Sequence, residues 1–221
     1  MAPLVVRGDI PPIIRNDEGL YEGNLISYLQ AIFTYGQNLE DPYHNFRHMY
    51  YVAWSCHEAL RFYGDRLSLR DGRDLMIAAL THDIDHPGML GSDDLNIERS
   101  LRWLGAHIAK EDLPHLPRIT TIVRATQYPP VEPSEDLDLL AHIIRDADMS
   151  QGLSPVWIQQ IIFGLAREWR KKPIDILRIQ ETFLGSLTFT TEWAKERFPQ
   201  SAIGEKRTEA KELLELLEMK L

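Results

Sequence analysis

The apolar run DLMIAAL (74–80) leads without a break into THDIDHPG (81–88). A segment apolar enough for a protein interior therefore ends on two imidazoles and two carboxylates packed into positions 82–86. Ionisable groups left unpaired in apolar surroundings are costly, so the fold must neutralise them with each other or with a metal ion. Neither Pro87 nor Gly88 continues a helix comfortably, which sets the helix end here. Adjacent residues on a regular helix diverge by about 100°. At a helix end that geometry relaxes, and His82 and Asp83 can then reach one point, with His86 one turn beyond His82. The competing reading is that Asp83 and Asp85 only cap the helix or pair with the histidines.

The rest of the chain is patterned almost entirely for helix. Leu25, Leu29, Ile32 and Phe33 recur at helical spacing, as do Leu75, Ala78 and Ala79. Further helices are expected over roughly 45–63, 94–109, 116–127, 135–146, 154–170 and 174–197. Breaks fall at Asp41-Pro42, Pro87-Gly88, the proline cluster 129–133, Ser150-Gln151-Gly152 and Pro173. Strand-like alternation is nearly absent, and the sequence carries neither a repeat nor a low-complexity segment. The expected architecture is all-α, one domain over residues 1–221, built of about eight to ten helices. Leu213, Leu214, Leu216 and Leu217 form the apolar side of an amphipathic C-terminal helix over about 203–221. That helix is expected to pack on the body or on a second copy in a homodimer, rather than on a membrane.

Composition narrows the partners. The net charge of −9, with no long run of lysine or arginine, argues against nucleic acid and acidic membranes, which are held by clustered positive charge. A small anionic substrate stays compatible, because a bound metal reverses the local field. No apolar run reaches the ~20 residues that span a bilayer. The opening MAPLVVRGDIPPIIRNDE is too interrupted by proline and charge for a signal peptide. The single cysteine, Cys56, has no internal disulfide partner, which fits a reducing cytoplasm. It falls mid-helix among aromatics and reads as a small core residue, in spite of its neighbour His57.

Two further segments carry chemistry. In DPYHNFRHMYYVAW, His44 and His48 are spaced to share one helix face, either as a functional pair or as two imidazoles in ordinary hydrogen bonds. In HIIRDADMSQ, Asp146 and Asp148 close an apolar helix and point to different faces. They read as a capping pair, or as a pair of which one faces a site. Imidazole nitrogens with carboxylate oxygens, and no thiolate, suit Zn²⁺, Mn²⁺, Fe²⁺ or Mg²⁺ and not a structural zinc built from cysteines.

The ordered set H…HD…D resembles the HD-domain superfamily of metal-dependent phosphohydrolases. More narrowly, YHNFRH and HDIDHPG resemble the signature stretches of class I cyclic nucleotide phosphodiesterases, YHN-x-x-H followed by HD-x-x-HPG. DADMS is similar to that family's ADLS segment, which selects Asp148 over Asp146. RATQ (124–127) is similar to its AT-containing helix, and RIQETFLGSL to its SQVGFIDY-like stretch. The resemblance covers roughly residues 40–195. It implies that His48, His82, Asp83 and Asp148 bind one metal, with Asp83 and Asp148 reaching a second. The tight site would take Zn²⁺, or Fe²⁺ or Mn²⁺, and the second Mg²⁺ or Mn²⁺, the pair activating a water for attack on phosphorus. His44 would be the general acid that protonates the departing O3′. His86 and Glu98, the latter from IERSL (97–101), would orient water around the metals. Tyr43 would contact the substrate, Gln180 would bond a purine edge, Phe183 would stack on the ring, and Ile161 and Leu165 would form the apolar wall of the base slot. Gln151 stands where the family usually has an asparagine that reads the base, so the choice of base is open. The loop after HDIDHPG is shorter than in the animal enzymes and resembles compact bacterial-type relatives.

The implied activity is hydrolysis of a 3′,5′-cyclic nucleotide, cAMP or cGMP or both, to the 5′-monophosphate by a cytoplasmic enzyme. A noncyclic nucleotide, an alarmone or a cyclic dinucleotide is the nearest alternative substrate. A non-catalytic sensor is the third reading, and its expected mark, loss of a ligand or of the acid, is absent from the sequence.

Overall fold

Leu75, Met76, Ile77, Ala78, Ala79 and Leu80 are all wholly buried. The helix that carries them, α4 (Leu69–Thr81), is therefore covered on every side rather than along one stripe. In the computed structural model, which describes residues 10–88, 93–129 and 137–219, this helix is the axis of an all-α bundle. Packed directly on α4 are α3 (Phe46–Tyr63), α6 (Leu116–Arg124) and α7 (Leu139–Met149). Helices α3 and α7 also touch each other, so the three meet where α4 ends.

The periphery follows from chain order. Helix α1 (Pro12–Arg15) packs on α2 (Ile26–Tyr35), and α5 (Asp93–His107) packs on α6. A π-helical turn, Ile158–Phe163, leads into α8 (Gly164–Glu168) and then α9 (Pro173–Ser186). Helix α10 (Glu192–Arg197) rests on α3 and α7, and α11 (Gln200–Glu218) lies along α9. Side-chain caps explain several starts. Ser68 and Asp71 form a reciprocal capping box at α4, Asn45 caps α3, and Asp138 caps α7 through the Ala141 amide.

The described residues form eleven α-helices and no strand, against the eight to ten helices expected. The extra elements have physical reasons. The helix expected over 174–197 is divided at 187–191, because the buried Asp146 carboxylate accepts the Thr190 and Thr191 amides and the Thr191 hydroxyl. Three donors on one buried carboxylate outweigh one more helical turn, and Thr191 then caps α10. The helix expected over 154–170 is π-helical in its middle and ends at Glu168. The proline-rich break at 130–133, the start of the helix expected over 135–146 and the loop at 89–92 lie outside the described residues. On α11, Leu213 and Leu214 pack against the body, whereas Leu216 and Leu217 are exposed. Among the described residues no helix is long and apolar enough to cross a membrane. Cys56 is wholly buried, in keeping with its reading as a core residue.

One ion cluster ties the far side of the bundle together. Asp112, completely buried, accepts from Arg73 Nε (2.7 Å), Arg73 Nη2 (2.7 Å), Arg70 Nη1 (2.9 Å) and the Tyr28 hydroxyl (2.8 Å). Burial alone would raise its pKa, but the bonds from Arg73, Tyr28 and Arg70 hold it below the usual carboxylate range. Breaking such a pair strands a buried guanidinium. Asp112→Ala is expected to lower unfolding stability by about 3–5 kcal/mol, read from denaturant midpoints. Because the folded pKa is depressed, the wild-type contribution is complete above the ordinary carboxylate range and is lost as pH falls below it through the lower folded pKa.

Candidate metal centre and cleft

The site is assembled where three helix ends meet. The Asn45 side chain accepts from the Arg47 amide (2.8 Å) and the His48 amide (3.2 Å), which starts α3 at Phe46 and places His48 in its first turn. His44 therefore precedes the helix and does not share a helical face with His48. The two rings nevertheless lie 6.0 Å apart, because the preceding turn folds back. His82 is the C-terminal cap of α4, and Asp83 is the next residue in the turn. Asp85 adopts a left-handed backbone, φ 60°, which reverses the chain toward Pro87-Gly88. Asp148 comes from the last turn of α7.

Four donor atoms converge here. His48 Nε2 lies 3.0 Å from Asp83 Oδ2, 3.1 Å from Asp148 Oδ1 and 3.3 Å from His82 Nε2. His82 Nε2 lies 3.4 Å from Asp83 Oδ2 and 3.9 Å from Asp148 Oδ1. Donors held about 2.1 Å from one ion are separated by about 3.0 Å along octahedral edges and about 3.4 Å along tetrahedral ones. All but the 3.9 Å His82–Asp148 separation fall in that range, and His48, His82 and Asp148 present donor atoms within 4.8 Å of one another, so these residues fit a divalent ion. Both imidazoles are also oriented for it. His48 Nδ1 meets Gln151 Oε1 at 2.7 Å, and His82 Nδ1 meets the Ala79 carbonyl at 2.9 Å. Those acceptors keep the proton on Nδ1 and leave Nε2 free as a ligand. Burial opposes charge on His48, but Asp148 and Asp83 outweigh it and push its pKa up to about 10. A metal bound at this point must therefore displace a proton at neutral pH.

A second cluster flanks the first. His44 Nδ1 is hydrogen-bonded to the buried Glu168 carboxylate, whose other oxygen accepts the Tyr43 amide (2.8 Å) and the His44 amide (3.0 Å). Burial alone would raise the Glu168 pKa, but the His44 bond and these amides lower it. The His86 ring stacks on His44 at 3.7 Å, and its Nδ1 accepts the Gly88 amide. Burial first, and the His44 charge second, bring His86 down to about 4, so it is neutral. Glu168 reaches His44 because Gly164 lets α8 press on the loop before α3; a Cβ there would lie 2.9 Å from the Pro42 carbonyl.

Two groups that sequence reasoning passed over hold this arrangement. Glu168 sits in LAREWR, which carries no pattern that separates it from a surface acid. Asn38, only 2% exposed, donates to the His44 carbonyl (2.7 Å) and the Asp83 carbonyl (2.8 Å), and its oxygen accepts the Asp85 amide (2.8 Å). One side chain thus joins the YHN and HDID segments.

Of the four donors, His48, Asp83 and Asp148 line a cleft of about 660 Å³, while His82 is buried. Tyr43, Ile161, Leu165, Gln180 and Phe183 line it too, with Tyr43 against the His44 and His48 rings. Gln180 is 5% exposed, and its Nε2 has no hydrogen-bond partner. Gly152 packs against this pair; a Cβ there would lie 2.8 Å from Gln180 Nε2 and 3.2 Å from the Phe183 ring. Two expectations are corrected. Glu98 does not approach the donors; it is exposed and paired with Arg124, because the face of α5 that meets the cleft carries Asp93, Asn96 and Ile97. Gln151 does not line the cleft; it is buried, with its oxygen on His48 and its Nε2 donating to Gln160 (2.9 Å). No protein-family model matches the chain, and no curated protein matches it significantly.

Loss of the hydrogen bond to a ligating histidine weakens metal binding about 10- to 100-fold. Gln151→Leu is expected to do so in a competitive titration against a metal-chelating dye, whereas Glu98→Ala leaves the affinity unchanged. Equal effects of the two substitutions would contradict this assignment.

Proposed function

We propose that this chain is a metal-dependent phosphohydrolase of the HD-domain type that hydrolyses a 3′,5′-cyclic nucleotide to the 5′-monophosphate in the cytoplasm. The observation that carries the reading is one cleft that brings two chemistries together. Its lining holds His48, Asp83 and Asp148 from the donor cluster and His44, which Glu168 orients; it also holds Gln180, a buried amide whose Nε2 has no partner.

His48, His82, Asp83 and Asp148 would hold the metal, with Asp83 and Asp148 available to a second ion. Divalent ions there supply a lowered water pKa and charge neutralisation on the phosphate oxygens. The chain's own groups do the rest. Because Glu168 occupies His44 Nδ1, only Nε2 of His44 faces the cleft as a donor. Glu168 holds the ring through Nδ1, and the Nε2 proton goes to the leaving ribose oxygen. The neutral His86 ring covers the other face of His44 and adds no competing charge. An unpaired buried amide costs about 1–3 kcal/mol, and the edge of a purine relieves that cost. Phe183 offers a ring face for stacking, and Ile161 and Leu165 enclose the base.

His44→Ala is expected to slow hydrolysis of cAMP or cGMP by about 10²- to 10⁴-fold with metal content intact. The same variant should lose far less activity on bis(p-nitrophenyl) phosphate, whose leaving group needs no proton. Turnover confined to noncyclic nucleotides would overturn the cyclic-nucleotide reading while leaving the metal centre standing. An equal loss on both substrates would overturn the general-acid role.

A further inference from the structure

Arg145 occupies α7 one turn before Asp148, and its side chain lines the same cleft. The residue is 8% exposed. Its Nε donates to the Ala125 carbonyl, at the end of α6, at 3.3 Å. Neither Nη group has a hydrogen-bond partner among the described residues, and no carboxylate among them lies within ion-pair distance. The contrast with Arg73 is direct, since that buried guanidinium is met two-pronged by Asp112.

A guanidinium cannot shed its proton to escape burial, as a lysine can. An unpaired one in a cleft is therefore a charge waiting for an anion. Its geometry suits one kind best. The bond to Ala125 fixes the plane of the group and leaves the two Nη groups as a fork, which matches two oxygens of a phosphate. Side chains three residues apart on a helix have Cβ atoms about 5–6 Å apart, so the fork originates next to the donor cluster that Asp148 serves. The same cleft is lined by the neutral Asn96, Thr126 and Gln127, and by the Asp83, Asp93 and Asp148 carboxylates and Arg178. The nearby Asp93 carboxylate is already occupied by the Tyr128 amide (2.7 Å) and Asn96 (3.4 Å).

We infer that Arg145 is a phosphate-recognition residue of the cleft, holding phosphoryl oxygens of a nucleotide through its two free Nη groups. The nucleotide, as opposed to free phosphate, rests on the base slot argued above. The test is calorimetric binding to the full chain in Mn²⁺, with no turnover in the readout. The ligands are 5′-AMP, 5′-GMP, adenosine, guanosine and inorganic phosphate. Wild type should prefer a monophosphate over its nucleoside. Arg145→Met should weaken monophosphate binding about tenfold or more, without changing nucleoside binding. Arg145→Lys, which keeps the charge but loses the fork, should fall between and also guards against a folding defect in the methionine variant. Arg124→Met removes a like charge outside the cleft and should change nothing. An unchanged monophosphate preference in Arg145→Met, or none in wild type, overturns the proposal. Inorganic phosphate bound as tightly as 5′-AMP overturns the nucleotide assignment. Failure to hydrolyse cyclic nucleotides leaves these binding outcomes unaffected, so the two readings fail separately.

Discussion

The bundle is organised around the need to neutralise charge at the end of its most buried helix. The second half of helix α4, residues 75–80, is buried on every face, and the cap and turn that follow it carry His82 and Asp83, the latter lining the cleft. Two imidazoles, each 3.0–3.9 Å from two carboxylates, form a set whose formal charge is unbalanced without a cation. In its absence, protonation of His48 is the remaining remedy, which is why that ring is held so far above an ordinary imidazole. The surrounding contacts have the same purpose. Gln151 and the Ala79 carbonyl fix the tautomers, and Asn38 ties the two loops that carry His44 and Asp83.

The two carboxylates of the DAD segment illustrate how one helix end serves fold and site at once. Asp146 faces inward and gathers the 190–191 backbone, which ends α9 and seats α10. Asp148, two positions on, faces the cleft. Arg145 lies one turn earlier on the cleft side. A single short helix thus carries a structural anchor, a carboxylate of the donor cluster and a guanidinium that lines the cleft, separated only by helical phase.

Much of this was legible from residue order alone. The helical period and the apolar run through 75–80 specify an all-α body and the corner where the donors gather, although α4 ends at Thr81 and not at the Pro87-Gly88 stop. The break within 174–197 was not legible, because the competitor is a tertiary carboxylate, Asp146, more than forty positions away. Nor were Glu168 and Asn38, whose roles depend on close approach at Gly164 and on loop backbone groups that no local pattern announces. Glu98 and Gln151 were misplaced for a related reason. Motif position says which segment is near a site, while side-chain direction depends on helix phase and on which neighbour claims the group first.

The central claim is that His48, His82, Asp83 and Asp148 form a metal centre, and anomalous diffraction from Mn²⁺-soaked crystals tests it most directly. The account predicts a peak about 2.0–2.3 Å from His48 Nε2, His82 Nε2 and both carboxylates. A peak elsewhere, or none, with the four side chains still bonded directly to one another, would contradict it.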